Sequence, residues 1–237
     1  MENQIEILTI QFKTPISDKE IKWFRGAIIH ALQNDNILFH NHTPTNYRYS
    51  YPLIQYKRID QCAAIVCINE GIAAMGDFFA NYTGEMTIGN QRKQMEIESL
   101  KPALFTIKLW EHMSCYKIKR WLPLNSRNYA IYNQIESLVE RIEFLEKILI
   151  GNILAFTKGV GIFLEEELVC RITEVTRSYP IRNKEVNMEA FDIKFVSNIS
   201  LPDYIGLGKN VSINCGIVVA EHAYLKADQG SPCCDKI

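Results

Sequence analysis

The sequence predicts an α+β fold made of two successive units of one plan, each an antiparallel sheet with helices on one face. Three observations carry this. Elements in residues 1–112 run strand, helix, strand, strand, helix, strand. The order restarts after residue 112 with a strand and a long helix. A chain of 237 residues, 47% hydrophobic and 22% charged, can bury two cores. The plan is the ferredoxin-like one, so the expectation is two tandem ferredoxin-like domains, 1–112 and 113–237.

Residues 4–13 are β-branched and apolar, a buried strand that Pro15 ends. Ser17 with Glu20 is a capping-box pair. Ile21, Phe24, Ile28 and Leu32 follow at helical spacing, predicting a helix over 18–33. Gly26 within it costs about 1 kcal/mol relative to alanine, a cost that close approach of another backbone would offset. Asn34-Asp35-Asn36 breaks the helix. Residues 47–58 read as extended, with Pro52 marking an edge or a bulge. Residues 63–68 read as a buried strand and 69–81 as a short helix. Extended pieces near 85–98 and 102–109 turn at Gly89-Asn90.

In the second unit, Tyr116 to Leu122 alternates like a strand. Asn125-Ser126 then opens one long helix through Ile131, Ile135, Leu138, Ile142, Leu145 and Leu149. Gly159 and Gly161 stop it, with Lys158 at the negative end of the helix dipole. Strands are expected near 161–164, 167–175 and 189–197.

Composition narrows the function. The longest apolar run, 148–156, is interrupted by Gly151 and Asn152 and is too short to span a bilayer. Met1-Glu2-Asn3-Gln4 is unlike a secretory leader, so a cytoplasmic location without membrane partners is expected. Seven cysteines, an odd number with no C-x-x-C pair, fit a reducing compartment. Net charge is −1, with 11 basic and 12 acidic residues in 1–112 and 15 of each beyond, so any anion-binding surface must be local.

The chemistry concentrates in Phe39-His40-Asn41-His42 and the following Tyr47-Arg48-Tyr49-Ser50-Tyr51. Side chains two apart share a face in an extended segment. Imidazoles titrate near pH 6.5 and can divide general-base and general-acid work. Aromatic and basic neighbours suit a substrate of flat bases and phosphates. The alternatives are a chance His-x-His pair, or one arm of a metal site with His30 or His112. Lys117, Lys119 and Arg120, with Lys209, Arg92 and Lys93, are the local basic candidates. A second informative stretch is Gly206-Leu207-Gly208-Lys209 through Ser212 to Gly216. Its glycines permit close backbone approach, and its exposed N–H groups form an anion concavity. It is neither a P-loop nor a dinucleotide fingerprint, and the plain alternative is a hairpin turn.

Together these stretches resemble the Cas6 endoribonucleases of CRISPR systems, in particular the Cas6b branch. The residues carrying the resemblance are Phe39-His40-Asn41-His42, Tyr49-x-Tyr51-Pro52-Leu53-Ile54-Gln55-Tyr56-Lys57, Leu149 to Phe156, and Gly206 to Gly216. The resemblance implies tandem ferredoxin-like (RRM/RAMP-type) domains and metal-independent cleavage of precursor CRISPR RNA, with no cofactor. The RNA 2′-hydroxyl would attack, leaving a 2′,3′-cyclic phosphate and a 5′-hydroxyl. His40 and His42 match the catalytic pair, Tyr49 the family tyrosine, and Lys57 is the candidate cation beside the phosphate. Arg48, Arg58, Lys117, Lys119, Arg120, Gly206, Gly208, Lys209, Ser212 and Gly216 would contact RNA. The partners this reading admits are CRISPR repeat RNA, other Cas proteins and a second copy of the chain. The sequence departs from the family three times: Asn214-Cys215-Gly216 replaces Gly-aromatic-Gly, no Lys or Arg lies between Arg25 and Arg48, and both halves are close to neutral, which implies modest non-specific RNA affinity. The rival reading is a non-cleaving RAMP-type RNA-binding subunit.

Overall fold

The computed structural model describes residues 3–31, 51–183 and 186–221. The first unit contains β1 (Gln4–Pro15), α1 (Ile21–Ala31), β2 (Ile54–Ile59), β3 (Cys62–Ile68), α2 (Glu70–Ala80), the hairpin β4 (Glu85–Ile88) and β5 (Gln91–Gln94), and β6 (Ile97–Thr106). The second contains β7 (Leu109–Trp121), α3 (Ser126–Gln134), α4 (Leu138–Gly159), β8 (Cys170–Asn183), β9 (Val186–Ile199) and β10 (Ile217–Ala220).

Both main sheets are antiparallel and share one strand order. The first is β2-β3-β1-β6 and the second β10-β7-β9-β8, the ferredoxin-like arrangement in each case. Alternation along β1 explains how the first sheet is used. Ile10 and Phe12 face α1 and α2, packing on Phe24, Ile28, Met75 and Phe78. Ile5 and Ile7 face the other way, into a core shared with Tyr116, Ile118, Leu149 and Phe156 of the second unit. β3 splits likewise, with Ile65 and Cys67 on one side and Val66 and Ile68 on the other. A strand buried on both faces needs a continuous apolar run, as residues 63–68 supply.

Half of the capping box forms: the Ser17 backbone N–H donates to Glu20 Oε2 at 2.8 Å, while the Ser17 hydroxyl donates to the same oxygen at 2.8 Å and Glu20 N donates to the Ser17 carbonyl at 3.0 Å. Lys93 and Ser17 together hold the Glu20 carboxyl down to about 2. The turn at Gly89-Asn90 joins β4 to β5 as expected.

Three expectations need correction. The long helix is two: Asn125 caps α3 and Ser137 caps α4, the Ser137 hydroxyl accepting from Glu140 N at 3.4 Å. Arg141 Nε donates to the stranded Ile135 carbonyl at 2.6 Å, which stabilises the break. Residues 161–164 form no strand; instead β8 and β9, 14 residues each, pair as a long hairpin whose exposed, polar outer part carries little hydrophobic periodicity. β7 begins at Leu109 and pairs there with Ile199 of the second sheet. Gly26 has no neighbour within 4 Å of a built Cβ, so no backbone approaches it.

The second unit has no counterpart of α2. Between β9 and β10 lie residues 200–216, which form bridges and turns but no helix.

Candidate nucleic-acid interface

His40, His42, Arg48 and Tyr49 lie outside the described residues. The chain is described up to Ala31, at the end of α1, and again from Tyr51. Tyr51 is firmly held. Its hydroxyl donates to the Gly206 carbonyl at 2.8 Å and accepts from Gln55 Nε2 at 2.9 Å. Its ring lies 5.1 Å from that of Phe156, and Gly159 leaves the space its Cβ occupies. Burial pushes the phenol pKa well above its ordinary value.

From this anchor, β2 runs along the glycine-bearing loop. Gln55 Oε1 accepts from Gly206 N at 2.9 Å, Tyr56 N donates to Ser212 O at 2.9 Å, and Arg58 N donates to Asn214 Oδ1 at 2.9 Å. A parallel bridge links Tyr56 to Ile213. The loop therefore closes the open edge of the first sheet. Within the second unit it is fixed by Gly216 N to Arg120 O at 3.0 Å and Leu207 N to Gly216 O at 2.9 Å. Gly216 has φ +64, and a Cβ there would stand 1.8 Å from the Leu207 carbonyl oxygen, so no other residue fits.

Lys57 points into this joint. Alternation sends Gln55 and Lys57 toward the loop, and Lys57 is fully buried, its ammonium donating to Val211 O at 3.1 Å. Burial pulls its pKa down to about 7. In place of the expected phosphate contact, Lys57 fastens the loop to β2.

The other cations divide into two groups. Arg58, Lys119 and Arg120 converge on one cleft between the units, with a volume of about 460 Å³. Arg58 Nε is held by Ile16 O at 2.6 Å; Arg120 pairs with Asp18 at 2.7 Å across the units. Sequence reading missed Arg177, which lines the same cleft with its guanidinium 4.6 Å from the Tyr179 ring centre. It also missed Asp18 and its pairing with Asn214, whose side-chain amide donates to Asp18 Oδ1 at 3.1 Å and ties the α1 entrance to the loop. No spacing signal pairs residues 196 positions apart. Lys117 lies apart from this cleft, ion-paired with Glu221. Lys209 is exposed on the loop, while Gly206 and Gly216 are buried and Gly208 and Ser212 half-buried. Gly208 sits beside the Trp121 indole, whose N–H donates to Asn152 Oδ1 at 2.9 Å; this is the task of the asparagine that interrupts the apolar run. His30 is exposed near the end of α1, and His112 is exposed, its ring centre 5.3 Å from that of Trp110.

Two ferredoxin-like units joined through a glycine-bearing loop define a tandem ferredoxin-like protein with a cation-lined cleft between its halves. Residues 3–105 match the family model of the Cas6b N-terminal domain and residues 108–221 that of the Cas6b C-terminal domain. The chain belongs to the Cas6b family. A crystal structure of Cas6b superposes with a TM-score of 0.85 at 29% identity, over 92% of this chain and 100% of that one. A second, of the CRISPR RNA processing endoribonuclease Cas6b, gives 0.72 at 25% identity with the same coverage. The type IV crRNA endonuclease Csf5, at 13% identity and a TM-score of 0.58, shares the fold. An uncharacterised protein of Methanocaldococcus jannaschii is 34% identical over 110 residues, 46% of this chain and 74% of its own. Among the described residues no helix is long and apolar enough to cross a membrane.

Proposed function

We propose that this Cas6b-family protein is an endoribonuclease that cuts precursor CRISPR RNA within its repeats, using His40 and His42 as an acid–base pair. The observation that carries the reading is the joint at Tyr51. The first described residue after the histidine segment is locked to α4 and to the glycine-bearing loop at once. Such an anchor suits a segment that must meet a phosphate with sub-ångström tolerance.

In this scheme one imidazole takes the proton of the RNA 2′-hydroxyl. The 2′-oxygen forms a bond to phosphorus, the bond from phosphorus to the 5′-oxygen breaks, and the second imidazole protonates that oxygen. Tyr49 orients an imidazole or the phosphate. Arg58, Lys119, Arg120 and Arg177 hold backbone phosphates in the cleft between the units, and Arg48 and Lys209 extend the track. The four cations of that cleft face three carboxylates, Asp18, Asp60 and Asp192. Affinity therefore rests on geometry as much as on net charge, and it falls with salt.

The test is cleavage of labelled repeat RNA. The downstream fragment should accept a label from polynucleotide kinase without prior dephosphorylation. The upstream end should resist phosphatase until acid opens the cyclic phosphate. His40→Ala and His42→Ala should each slow cleavage by about 10²–10⁴-fold, and EDTA should change nothing. Loss of cleavage in EDTA with recovery on adding zinc would refute the scheme. A second reading, an RNA-holding subunit that does not cut, is favoured by Cys215, which stands where the family pattern has a stacking ring and is buried. Tight binding of the repeat without any cleavage by wild type would establish it.

A further inference from the structure

α1 is amphipathic, yet one of its flanks is neither core nor plain solvent surface. Lys22, Trp23, Gly26 and His30 recur with helical spacing along a groove between α1 and the β4–β5 hairpin, whose volume is about 610 Å³. Binding sites for small flat groups commonly fall between about 300 and 1,000 Å³.

Two features of this groove leave it open to a ligand. Trp23 is 54% exposed, the second most exposed aromatic among the described residues after Phe163 at 70%. It is not merely loose at the surface. Gly89, with φ +63 in the hairpin turn, lies against its ring, and a Cβ at that position would come within 2.9 Å of the indole. The turn thus holds the indole while much of the ring stays accessible. Gly26, one turn along, meets nothing within 4 Å of a built Cβ. A glycine in a helix interior weakens it, and none of the packing that usually repays this is present. What Gly26 provides is open space beside an accessible indole.

We propose that this groove is a subsite for one unpaired base of the substrate RNA, stacked on Trp23 and seated over Gly26. The lining fits that ligand. An indole face stacks on any base. Lys22 and His30 supply a cation and a hydrogen-bonding imidazole on the same flank. The acidic side chain on the rim, Glu85, is ion-paired with Arg92. The groove also reaches Ala31, from which the chain continues toward the histidine pair. The subsite rests on the nuclease reading above and adds to it a base contact outside the cleft between the units.

The experiment uses the full chain and a single-stranded repeat RNA made uncleavable by a 2′-deoxy nucleotide at the scissile position. In a Trp110→Phe background the remaining indoles are Trp23 and the buried Trp121. RNA should quench the fluorescence of this protein, and the Trp23→Ala variant should lose the quenching. Trp23→Ala should weaken binding about 5- to 150-fold, the range of a single base–aromatic stack, and Trp23→Phe should restore most of it. Gly26→Gln should weaken binding while raising the melting temperature, which separates a filled groove from a damaged fold. Unchanged affinity in both Trp23→Ala and Gly26→Gln, with wild type still binding, would overturn the subsite and leave the nuclease standing. Absence of RNA binding by wild type would overturn both.

Discussion

The two units share a strand order and differ in one connection. In the first, the chain between the third and fourth sheet strands forms α2 and a hairpin, and α2 covers its own sheet through Ala74, Met75 and Phe78. In the second, residues 200–216 occupy the same place in the topology and form no helix. They lie against the neighbouring unit, offering backbone groups to Gln55, Tyr56 and Lys57. The comparison teaches that a repeated plan need not repeat the use of its parts. A connection that builds no helix became the fastener between units.

The sharpest way to break this comparison is to disturb the fastener where it cannot yield. Gly216→Val should destabilise the protein by about 3–5 kcal/mol, because a forbidden backbone region and a carbonyl clash coincide. Urea unfolding measures this, and a wild-type midpoint would mean the loop is not under such constraint. The next test concerns Lys57. Its pKa is about 7 in the folded protein and near its ordinary 10.5 when unfolded. Between those values the unfolded chain binds more protons, so stability should rise with pH across pH 7–10.5, by at most about 1.4 kcal/mol per unit. Below pH 7 the full cost of burying the charge is present. Lys57→Met should remove that part of the slope, as melting curves at several pH values would reveal. The smallest effect is expected from Asn214→Ala. It removes hydrogen bonds to Arg58 N and Asp18 and should cost about 1–3 kcal/mol. Faster amide exchange at Arg58, with the second sheet unaffected, would sharpen the picture of the loop as a joint.

Much of the fold was legible because local signals and tertiary demands agree. The Ser17–Glu20 pair, the Gly89-Asn90 turn and the apolar run at 63–68 each do what their residues suggest. The division into α3 and α4 was not legible, since the hydrophobic step continues across Ile135 and Leu138 while Ser137 quietly supplies a cap. Of the candidate site, Arg58, Lys119 and Arg120 do share a cleft, which no pattern in the sequence shows. Lys57 was read as a cation available to substrate, and alternation alone could not tell which face of β2 meets solvent.

By itself the sequence determined two antiparallel ferredoxin-like units and the residue types on which the proposed RNA-cutting site rests. Periodicity, caps and turns act over a few residues, and a linear reading captures them. Only the tertiary structure decided that the glycine-bearing loop spans the units, that Lys57 is sealed, and that Asp18 meets Asn214. Those contacts join groups up to 196 positions apart, and their energy depends on desolvation and geometry that exist only once both sheets are in place.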